Sequence, residues 1–378
     1  MVKVACSLAA VLLLVSSGPA YSRSQASPTT LVLAKGEIFA FAQDGNQIAW
    51  ASYGTGDRSD CARQVRIGLL GSKQQKLVTK RTGPTCNSRD RFRSGIYEDM
   101  PVFALAGERA LWAMEGFKVT KETYIGYQYP VAVSHSGTRD VALKSYEHDP
   151  SKEDGDVLVG ISGDSSTLVY GVTTVGGSPN CRDDDTCVIS GGGVFRVVGT
   201  SEVAVPGAPP PAMLAASGNS VAIVVAERVL DWSDVLSGLP AHVTVIDAVT
   251  GASIGSFSPK ERPTAIAFAP SVVAVLESIV SGTKAGAQIE FYTPAGALLR
   301  TVAVPLWPTG LSTTNTRAVF RVGKSIRTVS VATGEITTVA TAAATPIGLS
   351  IEGKRVAWAE NVKIHGVLRG RIRAITVR

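Results

Sequence analysis

The chain has 378 residues, 45% of them apolar, with 38 glycines and a formal net charge of +6. That length and apolar share allow a sizeable core, and +6 on a chain of this size is a mild bias that excludes a nucleic-acid signature. Val, Ile and Thr are abundant and apolar residues at i, i+3, i+4 and i+7 are nearly absent, so an all-β chain with strands between turn clusters is expected.

Met1 to Ala20 places Lys3 ahead of the apolar run Val4 to Val15 and ends in SSGPA. This reads as a cleavable signal peptide, cut after Ala20 or as late as Ala26. The run is too short for a membrane helix, which needs about 20 residues. A core strand or a retained anchor is the other reading of the segment. Cys6 precedes the apolar run, the wrong side for a lipoprotein cysteine. Residues 27–378 are then expected to be one domain, secreted or periplasmic and monomeric, with no membrane span after cleavage and a charge of about +5 once Lys3 has gone.

That domain holds Cys61, Cys86, Cys181 and Cys187, an even number suited to an oxidising compartment. Four cysteines allow three pairings. Cys181 with Cys187 would close the short loop CRDDDTC and leave Cys61 with Cys86. No CxxC spacing occurs and the histidines are scattered, which argues against zinc, so no metal or cofactor is expected.

The stretch GLSIEGKRVAWAE at Gly348 to Glu360 has relatives upstream, such as FAQDGNQIAWAS at Phe41 to Ser52. Anchored on the last large residue of each recurrent strand, the repeats fall at Trp50, Trp112, Tyr170, Val224, Val275, Phe320 and Trp358, with intervals of 62, 58, 54, 51, 45 and 38 residues. Seven repeats near the length of a four-stranded blade predict a seven-bladed β-propeller. In blade five the four strands A to D are predicted over residues 264–268, 272–277, 288–293 and 298–304. Such units are apolar on both faces, so neighbouring blades must cover one another, and Trp50, Trp112 and Trp358 are expected to pack between blades. The seventh repeat has only three strands after Gly348. Thr29 to Leu33 is predicted to supply its outer strand and close the ring.

The blade cores resemble the TolB-like and WD40-like propeller repeat. The resemblance rests on Asp44-Gly45 with Ile48-Ala49-Trp50 and, in part, on Gly353 with Val356-Ala357-Trp358; Pro270 replaces the turn glycine in blade five. It implies the fold and a general habit of binding proteins or ligands, with no particular chemistry.

In a propeller, B to C loops gather on one face. Long insertions follow strand B in blades one to four, whereas blade six has a tight Gly323-Lys324 turn. A loop rim over blades one to four is therefore the expected partner-binding surface, with Tyr124, Tyr127, Tyr129, Asp231, Trp232 and Asp234 as candidate contacts. Folding of these residues back onto the scaffold is the plainer alternative. Asp183 to Asp185 and Glu153, Asp154 and Asp156 read as solvated acidic turns, because no alternating D-x-D-x-D ligand spacing occurs. Arg63 to Arg93 with Arg369, Arg371 and Arg373 form either a positive sector or solvated edge protection. No GxSxG, HExxH, P-loop or Rossmann fingerprint stands in a supporting context. The expected function is an exported module that binds a protein or an envelope polymer. The competing reading is a propeller lyase or hydrolase with its site at the mouth of the central channel. Converging His, Tyr, Arg or carboxylates there would favour chemistry, and a Ser, Thr and Ala lining would count against it.

Overall fold

A computed structural model describes residues 27–53, 62–70, 75–82, 97–99, 103–119, 124–134, 141–149, 154–176, 187–226, 228–229, 241–281 and 284–377. The strands form seven antiparallel blades, and the innermost strand A of each blade touches strand A of the next around a complete ring. Blade five runs Arg262–Ala269, Val272–Ser281, Lys284–Tyr292 and Leu298–Val304, extending the expected bounds by a few residues. Its C to D turn carries Gly296 at φ 98°, and Gly251 and Gly334 hold positive φ at the same turn in blades four and six, a conformation that glycine adopts without steric cost.

The ring closes as expected. Thr29–Leu33 pairs antiparallel with Val367–Thr376 and becomes the outer strand of blade seven, whose other strands are Ile347–Glu352 and Arg355–Ile364. Specific bonds reinforce the seam to blade one. The Asn361 side chain accepts from the Ile38 amide (2.9 Å) and donates to the Ile38 carbonyl (2.8 Å). Gly348, at φ 61°, lets the backbones meet, since a Cβ there would lie 2.7 Å from the Phe41 carbonyl oxygen.

The three anchor tryptophans, Trp50, Trp112 and Trp358, are fully buried. Trp50 packs on Ala357, Ala359 and Ile372 of blade seven, Trp112 on Ala49 and Val65 of blade one, and Trp358 on Val319 and Val339 of blade six. Each anchor lies three residues beyond the first residue of strand B and faces the preceding blade. Blade four corrects the expected register by one residue. Ile223, not Val224, takes the anchor position: it packs toward blade three with Val169 and Val194, while Val224 faces Val273 and Val275 of blade five. The strand SVAIVVA is apolar on both faces, so alternation gives no preference between the two registers.

Blades two and three are also joined by strand pairing. The outer strand of blade two, Tyr146–Asp149, pairs with strand C of its own blade and with the start of Asp154–Asp164, the inner strand of blade three. Tyr170 stacks on Phe195 in that seam, and its hydroxyl meets those of Tyr146 and the carboxylate of Glu202.

Candidate functional site

Strands B and C meet at the same end of each blade as D meets the next A, and this end is the loop face. Two of its insertions are more regular than expected. The blade-two segment Glu115 to Gln128 is a β-hairpin: Arg109–Val119 pairs with Tyr124–Ser134 along its whole length, out to Val119 opposite Tyr124. Tyr124, Tyr127 and Tyr129 thus lie in strand C rather than in a loop, with Tyr127 opposite Gly116 and Tyr129 opposite Met114. In blade three, strand C begins at Cys187, and Cys187 and Val188 pair with Val229 and Arg228 from the blade-four insertion. Asp231, Trp232 and Asp234 lie outside the described residues, as do Cys61, Cys86, Cys181, Asp183 to Asp185 and the segment 1–26.

Other expected surface groups are occupied by the scaffold. The Asp156 carboxylate accepts from the Thr174 hydroxyl at 2.6 Å. Arg371 donates through Nε to Glu360 at 2.7 Å, Arg373 lies 3.9 Å from the same carboxylate and donates to the Pro28 carbonyl, and Glu360 is fully buried. Glu360 also accepts from the Ala343 and Ala344 amides in the connection from blade six. Arg371 and Arg373 are therefore packing partners of a buried acid, and not part of an open positive sector.

Trp307 is a feature of the loop face that sequence reasoning missed. It lies in the connection from blade five to blade six, 80% exposed beside the exposed Leu306, with φ 61°. A large residue in the left-handed region ahead of a proline is strained by about 1–3 kcal/mol. The Trp-Pro dipeptide at 307–308 was its only local signal.

The opposite end of the ring holds the A to B turns and a cavity of about 640 Å³ at the mouth of the central channel. Six blades, all but blade two, contribute residues to it from distant parts of the sequence. Its wall carries Ser162, Ala215, Ser217, Ala267, Ser312, Thr313, Asn315 and Ser350, together with the carboxylates Asp164 and Glu352 and the side chain of Gln43. Among the described residues, no His, Tyr, Cys or Arg lines it.

The turns are tied to one another by side chains that accept backbone hydrogen bonds. Asp44 in blade one accepts from the Gly107 amide of blade two (2.5 Å), Asp164 in blade three from the Gly218 amide of blade four (2.7 Å), and Asn315 in blade six from the Ser271 amide of blade five (2.9 Å). Arg355 reaches from blade seven to Gln43 Oε1 (3.3 Å) and the Gly45 carbonyl, and Arg109 from blade two to the Val197 carbonyl (3.1 Å) and the Ser166 carbonyl of blade three. Burial raises the carboxyl of Asp44 above its ordinary range. Glu352 is pushed up to about 7, first by burial and then by Asp44 and Asp164, whose repulsion outweighs the nearby Arg355.

Solved structures include β-propellers similar to this one. The chain is similar to the β-propeller domain of the Trilobed protease from Pyrococcus furiosus, which has an open velcro topology, at 8% identity over 90% of this chain and 95% of that one, with a TM-score of 0.50. The fold is a seven-bladed β-propeller. Further similar propellers are the WD40 domain of Neurospora crassa Pan2 (9% identity, 93% and 96% covered, TM-score 0.45) and BamB from Moraxella catarrhalis (10%, 92% and 97%, 0.39). At these identities the likeness concerns the fold alone. No known family model matches this propeller, and no curated protein sequence does.

Proposed function

We propose that this propeller is an exported binding module that presents its loop face to a protein or envelope-polymer partner. The observation that carries the reading is Trp307. Its strained backbone holds a large apolar ring in solvent, where burial offers no compensating gain, and buried tryptophans are the commonest anchors of interfaces. The blade-two hairpin and the strand bridge from blade three to blade four give the same face raised, hydrogen-bonded edges. Rigid elements of this kind position contacts without a large ordering cost. The proposed contact surface takes in the strand of Tyr124, Tyr127 and Tyr129 and, from the sequence, Asp231, Trp232 and Asp234.

At the channel mouth Asp164 and Glu352 meet the condition for chemistry while the Ser, Thr and Ala lining meets the condition against it, so the loop face carries this reading rather than the mouth. Its hydroxyls lie among small side chains, and the cavity lining offers no histidine to activate one as a nucleophile. Trp307→Ala is the direct test. Loss of a partner captured by the wild-type protein from the exported fraction, at unchanged melting temperature, is the expected result. Unchanged capture would sink the loop-face reading.

A further inference from the structure

The cavity at the channel mouth lies at the opposite end of the ring from the loop face and takes no part in the function proposed above. Its volume, about 640 Å³, is that of a small-ligand pocket. Its carboxylates are gathered on one side. Asp164 and Glu352 line it from blades three and seven, with Asp44 of blade one buried beside them, whereas blades four, five and six contribute Ser217, Ala267, Ala269, Ser312, Thr313 and Asn315. The basic groups nearest the carboxylates are turned onto the protein: Arg355 donates to Gln43 and Gly45, and Arg109 to carbonyls of blade three. Lys354 is exposed at the rim. Burial first, and then repulsion from Asp44 and Asp164, raises Glu352.

Two side chains in the wall are also incomplete. Gln43 and Ser217 are 7% and 4% exposed, and their Nε2 and Oγ atoms have no hydrogen-bond partner. Buried polar groups are nearly always paired, so these two mark the wall beside the carboxylates as polar side chains whose hydrogen bonding the scaffold leaves incomplete among the described residues. Among the described residues the carboxylates do not converge as a metal-ligating group. They suit a larger cation that donates several hydrogen bonds in different directions.

We propose that the channel mouth is a binding site for an organic primary ammonium group, received by Asp164 and Glu352, with the polar remainder of its carrier lying against the hydroxyl and amide wall that includes Gln43 and Ser217. The ammonium could be carried by a free amine or by a lysine side chain of a peptide, since both present the same three N–H donors on an alkyl stem.

Isothermal titration of the full chain tests this with 1,4-diaminobutane, an N-acetyl-lysine-amide peptide, and 1,4-butanediol as the uncharged isostere. The two cations are expected to bind and the diol not. Removal of a charge-assisted contact in Glu352→Gln, which keeps an acceptor for the turn, should weaken the cation about tenfold or more. Asp164→Asn is the second variant, and the melting temperature of each reports whether the fold survives. Tighter binding of the free diamine identifies a small-molecule ligand, and tighter binding of the peptide identifies a lysine side chain. Equal binding of the diol, no binding of either cation at millimolar concentration, or unchanged affinity in both folded variants would overturn the proposal. Trp307→Ala should leave the titration unchanged, so this site and the loop face stand or fall separately.

Discussion

Glu277 is equivalent in the repeat to Glu360, but its surroundings differ, and Glu277→Gln turns that difference into a measurable gain in stability. In blade seven the strand opposite Glu360 supplies Arg371; in blade five the strand opposite Glu277 supplies Gln288, and Glu290 stands where blade seven has Arg373. Glu277 and Glu290 are both buried. Glu290 accepts from the hydroxyls of Tyr292 and Thr301 and from the Lys260 amide. Glu277 accepts from Gln288 Nε2 at 2.5 Å, while its Oε1 has no hydrogen-bond partner. Burial, with Glu290 adding to it, pushes Glu277 from 4.5 up to about 7. The folded protein therefore holds a proton there that the unfolded chain has released, and stability falls as pH rises from about 4.5 to about 7. Over that window the loss is about 3 kcal/mol. Glutamine has no charge to lose and can donate to Glu290. The variant should match wild type near pH 4.5 and exceed it at pH 8 by up to about 3 kcal/mol, which is roughly 4 °C in melting temperature for a chain of this length. Thermal unfolding followed by circular dichroism at the two pH values is the assay. A fall in melting temperature of equal size at both would refute the reasoning, because it would mean that Glu277 serves the fold as a charged acceptor.

Two further outcomes follow from the ring. Val32→Asp places a carboxylate in the seam where Val32 packs with Ile38 and Ile372; it should cost several kcal/mol and expose Thr29 to Leu33 to protease at a concentration that spares wild type, as limited proteolysis would record. Trp358→Ala should cost about 3–5 kcal/mol in denaturant unfolding, and Trp358→Phe clearly less, because the buried indole N–H has no partner to lose.

The blades were legible in the sequence because each repeat combines a positive-φ turn with a strand whose apolar residues alternate, and the strand deficit after Gly348 pointed to Thr29–Leu33 as the closing strand. Blade four slipped by one residue because Val221 to Val225 offers an apolar side chain on both faces. Blade two's insertion continues strands B and C, which a count of residues beyond the core strands cannot distinguish from a loop. The role of Arg371 was within reach: once strand register is assigned it faces Glu360, and a buried acid needs such a partner. The channel mouth was not within reach. It assembles Asp44, Asp164, Asn315 and Glu352 from four turns more than 300 residues apart at the extremes, and each alone is an ordinary turn residue.

The central claim, that the loop face engages a partner, is tested most directly by photo-crosslinking. A photoreactive amino acid is placed at Trp307, at Tyr127 in the blade-two hairpin, and at Thr333 in the C to D turn of blade six on the opposite face. The account predicts one shared discrete adduct from Trp307 and Tyr127 in the exported fraction and none from Thr333. Adducts of equal yield from all three positions, or from Thr333 alone, would contradict it.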